Sequence, residues 1–235
     1  NQGKIVLLEY GRGLAKWLES NPTLVRSGVN GAVVVNCNPF TNGHRYLIET
    51  AAKQVDNLYV FVVKEDRSVF PFAVRDRLVR QGTSDLPNVI VLDTSRYIVS
   101  SSTFPTYFLK KKDPVSKIQT ELDVTLFASK IAPVFNITRR FVGTEPNCPL
   151  TGGYNLAMQR ILPAHGIELE IIERKQAETG VSSASKVREL VGKNDLMLLA
   201  EYVPPTTYAF LTSEEAAPIR ERLQRDYRNK ALTGV

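Results

Sequence analysis

The sequence predicts a doubly wound α/β domain with a parallel sheet and a helical C-terminal segment. Apolar runs of strand length recur, and most are followed by segments of helical period. The runs are continuous rather than alternating, as strands covered on both faces require. In such sheets ligands bind beyond the carboxyl ends of the strands, near the point where strand order reverses. The loops after the strands are therefore where chemistry is expected.

Residues 32–35 are a β-branched run and form the first expected strand, in a domain that begins near Asn30. Residues 44–55 follow as a helix with Leu47, Ile48, Ala51 and Val55 on one face. A second strand is expected at 58–63, a helix at 74–80 and a third strand at 89–92. A long irregular stretch leads to a helix at 117–132, then a strand at 140–142, a helix at 154–162 and a fifth strand at 169–172. Helices near 184–192, 195–203 and 213–229 finish the chain. The first 28 residues fit this alternation poorly: 5–8 suit a strand, and 13–19 suit a short helix with Leu14, Trp17 and Leu18 on one face, broken by Asn21-Pro22.

Composition narrows the function classes. The 235 residues are 43% hydrophobic and 23% charged, which suits a globular protein with a full core. No apolar run approaches the roughly 20 residues of a membrane-spanning helix, and no signal peptide is visible, so no membrane and a cytoplasmic location are expected. Cys37 and Cys148 are the only cysteines and His44 and His165 the only histidines, too few for a disulfide scaffold or the common zinc sites. His165, in Pro-Ala-His-Gly, suits a surface turn without a role. A net charge of +6 favours an anionic ligand, while the scattering of the basic residues argues against nucleic acid.

Two stretches carry the chemistry. Asn38-Pro39-Phe40-Thr41-Asn42-Gly43-His44 lies where the first strand gives way to the first helix. A helix N-terminus offers unpaired N–H groups and positive dipole to a phosphate, and Gly43 allows close approach. His44 in the first turn can donate to a phosphate oxygen, and the Thr41 hydroxyl can assist. The competing explanation is a plain helix cap with a partly exposed histidine. The second stretch, Val181 to Arg188, enters a helix after the fifth strand. There Ser182 or Ser183 can cap the helix and hold phosphate oxygens, with Lys186 and Arg188 adding charge. Alone it better suits a Ser-rich cap with two surface cations. Together the two stretches suit a nucleoside triphosphate held from both sides.

The pair resembles the two signatures of the nucleotidylyltransferase superfamily, His/Thr-x-Gly-His and Ile-Ser-Ser-Thr-x-x-Arg, with Thr41 at the variable position of the first and Ala184 where the second usually has Thr. A narrower resemblance spans residues 30 to about 205. The blocks 36–51, 61–66, 97–108, 140–146 with Thr151 and Tyr154-Asn155, and 181–190 are similar to the citrate (pro-3S)-lyase ligase family. That resemblance implies a Rossmann-like nucleotidylyltransferase fold and activation of acetate with ATP. It further implies acetylation of the thiol on the phosphopantetheine-type prosthetic group of the citrate lyase acyl carrier protein. It implies His44, Thr41 and Lys64 as catalytic, with Asn38, Pro39, Phe40, Gly143, Thr144, Glu145, Ser182, Ser183, Lys186 and Arg188 around the nucleotide. Mg2+ is expected on the phosphates, carried mainly by substrate and water, with no metal site of the protein's own. Cys37 stands where the family often has a small apolar residue, which suggests packing. The family usually has an additional acetyltransferase-like N-terminal domain, so 1–28 suits a remnant of it and 29–235 the catalytic domain.

Several assignments stay open at this level. Lys64 also suits a solvated loop beside Glu65 and Asp66, and Gly143 to Pro146 a plain turn. Lys110-Lys111-Lys112 suits either a solvated run or a docking patch for an acidic carrier protein. The rival activities are adenylyl transfer to a phosphate acceptor, such as phosphopantetheine or nicotinamide mononucleotide, and nucleotide binding without chemistry.

Overall fold

The computed structural model describes residues 5–20, 25–105, 114–144, 149–173, 176–177, 180–181 and 183–233. A five-stranded parallel sheet forms its centre, in the order β3-β2-β1-β4-β5. The strands are β1 (Asn30–Val35), β2 (Asn57–Val62), β3 (Val89–Asp93), β4 (Ile137–Gly143) and β5 (Glu168–Ile172). β1 and β2 are buried almost end to end, which is why their sequences read as unbroken apolar runs. β3 and β5 lie at the edges and are only partly covered. β1 pairs with β2 on one side and β4 on the other, so strand order reverses between β1 and β4. The crevice at their carboxyl ends is where an open sheet of this kind receives ligands.

Helices cover both faces. One core contains Val33, Val35, Val60, Val62 and Phe141 under α2 (Asn42–Ala52), α3 (Phe72–Gly82) and the C-terminal helices α6 (Ala184–Gly192), α7 (Leu199–Tyr202), α8 (Pro205–Thr212) and α9 (Ala217–Thr233). The other contains Ala32, Tyr59, Phe61 and Val63 under α4 (Pro114–Leu126), α5 (Pro149–Ile161) and the segment 97–104. α1 (Gly13–Glu19) leans on that second core, with Trp17 6.0 Å from Tyr97 between ring centroids.

Four expectations need correction. Residues 5–8 form no strand, and Val6 and Leu8 are exposed. The helix expected over 117–132 is α-helical only to Leu126 and continues as a π-helical turn, Phe127–Ile131. The C-terminal part has four helices among the described residues, not three, because Pro204 and Pro205 open α8 instead of ending structure. Proline at the first helical position loses no intrahelical bond. A short hairpin, β6 (Gln176–Ala177) with β7 (Gly180–Val181), precedes α6 and was not expected.

Candidate active site

The loop from β1 to α2 is held rigidly. Thr41 is the N-cap of α2, and its hydroxyl accepts from the His44 backbone N–H at 3.4 Å. The His44 side chain returns the favour, its Nδ1 accepting the Thr41 backbone N–H at 3.1 Å. This reciprocal capping box satisfies two backbone donors at the helix start. A ring nitrogen that accepts carries no proton, so the ring's proton belongs on Nε2. The cap thus makes Nε2 the donating atom. The Thr41 side chain, expected to reach a phosphate, is instead 1% exposed and sits 2.9 Å from the imidazole.

Phe40 is likewise a support rather than a contact. Its side chain is fully buried and stacks on the His44 ring, at 6.1 Å between centroids and 17° between planes. Gly82 on α3 leaves room for it: a Cβ there would lie 2.4 Å from the Phe40 ring. Asn38 is engaged by two other elements, its side-chain oxygen accepting from the Phe70 N–H at 3.0 Å and its backbone carbonyl from Arg188 Nη1. The Asn38-Pro39 peptide is cis.

That Arg188 bond joins the two stretches picked out from the sequence. Ser183 is the N-cap of α6 and accepts from the Lys186 N–H at 3.2 Å. One turn further on, Arg188 also donates to Ser185 Oγ at 3.0 Å. Burial pushes its guanidinium pKa down. Lys186 leans toward Glu189 at 3.7 Å and is only loosely held. The second turn of α6 is therefore tied to the loop that leads into α2.

Lys64, just past β2, donates to Asp93 Oδ2 at 3.0 Å and lies 5.5 Å from the centre of the Phe72 ring. An anion arriving there competes with Asp93 for this cation. At the end of β4, the Gly143 carbonyl accepts from Asn155 Nδ2 at 3.3 Å and the Thr144 N–H donates to the Ile172 carbonyl at 3.0 Å. Among the described residues, a Cβ at Gly143 would meet nothing within 4 Å. Glu145, Ser182 and Lys110 to Lys112 lie outside the described residues. His165 is exposed at the end of a short 3-10 turn.

Sequence reasoning missed Arg75. Its side chain is fully buried on α3, and the guanidinium donates to the carbonyls of Asn36 at 2.9 Å, Val63 at 2.8 Å, Glu65 at 2.7 Å and Phe70 at 2.9 Å. It also reaches Asn36 Oδ1 at 3.0 Å. One cation thus pins the loops after β1 and β2, which carry His44 and Lys64. Nothing in the local pattern marks it, because a helical arginine ordinarily points to solvent.

Cys37, beside this guanidinium, is 1% exposed, and desolvation raises its thiol pKa far more than Arg75 lowers it. A buried protonated thiol is a poor nucleophile. Site-resolved mass spectrometry after iodoacetamide treatment is expected to find Cys37 unmodified in the native protein and modified once unfolded. Modification of the native protein would contradict the packing role.

The comparisons with known proteins agree with this architecture. The family model for the citrate lyase ligase C-terminal domain matches residues 30–211. Over 216 residues the chain is 47% identical to the citrate (pro-3S)-lyase ligase of Escherichia coli strain K12, covering 89% of this chain and 61% of that protein. It is 45% identical over 209 residues to the ligase of Klebsiella pneumoniae, covering 87% and 59% respectively. The chain therefore spans about six-tenths of the length of these relatives. Among solved structures, it superposes on Thermotoga maritima TmcAL bound with alpha-thio ATP with a TM-score of 0.51 and 16% identity, covering 79% of this chain and 55% of that one. A bifunctional NMN adenylyltransferase/ADP ribose pyrophosphatase from Francisella tularensis gives 0.51 and 13%, covering 84% and 52%. At such identities the likeness is one of fold. A parallel sheet that reverses between β1 and β4, with a match over most of its length, places the chain in the citrate lyase ligase C-terminal domain family.

Proposed function

We propose that this domain activates acetate with ATP and passes the acetyl group to the prosthetic-group thiol of a citrate lyase acyl carrier protein. The observation that carries it is the bond from Arg188 on α6 to the loop entering α2, which brings the two phosphate-binding stretches together in a chain of this family. An acetate oxygen attacks the α-phosphorus, the bond to the β-phosphate oxygen breaks, and pyrophosphate leaves as an anion. No base is needed, because acetate is already ionised. The carrier thiolate then attacks the acetyl carbon and releases AMP.

Catalysis then rests on positioning and charge. His44 Nε2–H holds an α- or β-phosphate oxygen, with Lys64 turning from Asp93 to the same region. Ser182, Ser183, Lys186 and Arg188 hold the β- and γ-phosphates, and Gly143, Thr144 and Glu145 the adenosine. Mg2+ travels on the nucleotide's phosphates and water, as it commonly does at such sites.

Pyrophosphate release from ATP, measured across small carboxylates and phosphorylated acceptors, tests the reaction. Stimulation by acetate alone is the expected result. Stimulation by phosphopantetheine or nicotinamide mononucleotide would favour transfer to phosphate, and nucleotide binding without release would leave only a binding module. Arg188→Ala should weaken ATP binding by about 1.5–3 kcal/mol and leave AMP affinity nearly unchanged, as read by calorimetry. Equal losses for both nucleotides would move Arg188 to the adenosine end.

A further inference from the structure

The segment 94–104, between β3 and α4, is bound to the edge of the site. Thr94 Oγ1 accepts the Lys64 N–H at 2.9 Å, and the Ser101 N–H donates to Glu65 Oε2 at 3.1 Å. The segment packs in the second core, on the opposite face of the sheet from α2 and α6. If the phosphates are held by α2 and α6, an in-line displacement brings the acceptor from the side opposite the leaving pyrophosphate. That side is the one the segment walls.

The wall is not a relaxed loop. Ser95 and Val99 have positive φ, 48° and 47°. For the β-branched Val99 this conformation is strained and persists only where the surroundings enforce it. The enforcing group is the fully buried carboxylate of Asp123 on α4. Its Oδ1 accepts the Val99 N–H at 2.7 Å and its Oδ2 the Tyr154 hydroxyl at 2.5 Å, while Thr103 adds a side-chain bond. Tyr154 stacks in turn on Phe104, at 6.0 Å between centroids. Arg140 on β4 supplies the balancing charge and lies 4.6 Å from the centre of the Phe127 ring, the first residue of the π-helical turn. Among the described residues, its Nε and Nη1 are buried without a hydrogen-bond partner.

We propose that Asp123 is a positioning residue for the acceptor side of the site: it clamps segment 94–104 beside Lys64 so that a small carboxylate meets the α-phosphorus in line. This rests on the activity proposed above. It separates two kinds of order, since the clamp packs in the second core and α2 and α6 in the first.

The test is a split between substrates. Asp123→Asn keeps the volume but places an amide where the three donors of Val99, Tyr154 and Thr103 need acceptors, and Tyr154→Phe removes one of those donors. Pyrophosphate release is measured with acetate and ATP varied in turn, and binding of a non-hydrolysable ATP analogue by calorimetry. Asp123→Asn is expected to raise the acetate KM about tenfold or more and Tyr154→Phe to raise it less, with ATP-analogue affinity kept within about twofold in both. Parallel losses for acetate and nucleotide would reduce Asp123 to general stability and overturn the proposal, as would an unchanged acetate KM. Should Asp123→Asn fail to fold, Tyr154→Phe decides by the same split. A wild type that uses a phosphorylated acceptor instead of acetate sinks the proposed reaction, and the split is then read with that acceptor. A wild type that releases no pyrophosphate with any acceptor overturns both.

Discussion

His44→Ala should lower acetate-dependent pyrophosphate release by 10²–10³, about 2.7–4 kcal/mol, the usual cost of removing one preorganised donor aimed at transition-state charge. The structure separates this loss from a loss of folding. His44 has two tasks: Nδ1 completes the capping box and Nε2 carries the proton. Alanine abolishes both and should also lower stability by about 0.5–2 kcal/mol, the range for a lost cap. Glutamine at the third helical position rebuilds the box, since its side-chain oxygen can accept the same backbone N–H. His44→Gln is therefore expected to recover the melting temperature of wild type but not its rate. Recovery of more than half the rate by glutamine, or its retention by alanine, would remove the imidazole from the chemistry.

Arg75→Met should have the largest effect on stability. The substitution keeps an apolar stem but leaves the carbonyls of Asn36, Val63, Glu65 and Phe70 without their donor inside the core. Breaking a buried charged network of this kind costs about 3–5 kcal/mol, a fall in melting temperature of roughly 6–20 °C for a domain of this size. Lysine should not rescue it, because a single ammonium with three donors cannot span a fork of five contacts. Thermal denaturation followed by circular dichroism measures the shift. A change of less than about 1 kcal/mol would mean that water can replace the guanidinium, contrary to its complete burial.

What could be read from the sequence follows from which signals are local. β1 and β2 were legible because burial on both faces leaves an unbroken apolar run. The start of α2 was legible because a cap is written in neighbouring residues, here Thr41 and His44. Its boundary was still set two residues late, since Asn42 and Gly43 add nothing to the apolar stripe. α8 was missed because Pro204-Pro205 reads as a break, although Pro205 starts a helix. The hairpin of β6 and β7 has two residues per strand, too few for any period. Arg75 and Asp123 were illegible for another reason: each sits in an ordinary helical pattern, and only tertiary packing turns a solvent-facing type into a buried one. The burial of Phe40 could not be foreseen, because it depends on the distant Gly82 of α3.

The bond from Arg188 to the Asn38 carbonyl joins residues 150 positions apart. β1 meets β2 after a short excursion, yet β4, on its other side, starts only at Ile137. During synthesis, β1, β2 and β3 can associate while one flank of the central strand is still bare. Closing so long a loop is entropically slow relative to local pairing. If the domain holds ATP as proposed, that competence is among the last properties a newly made molecule acquires, and nucleotide affinity reports that the chain has been threaded through to α6.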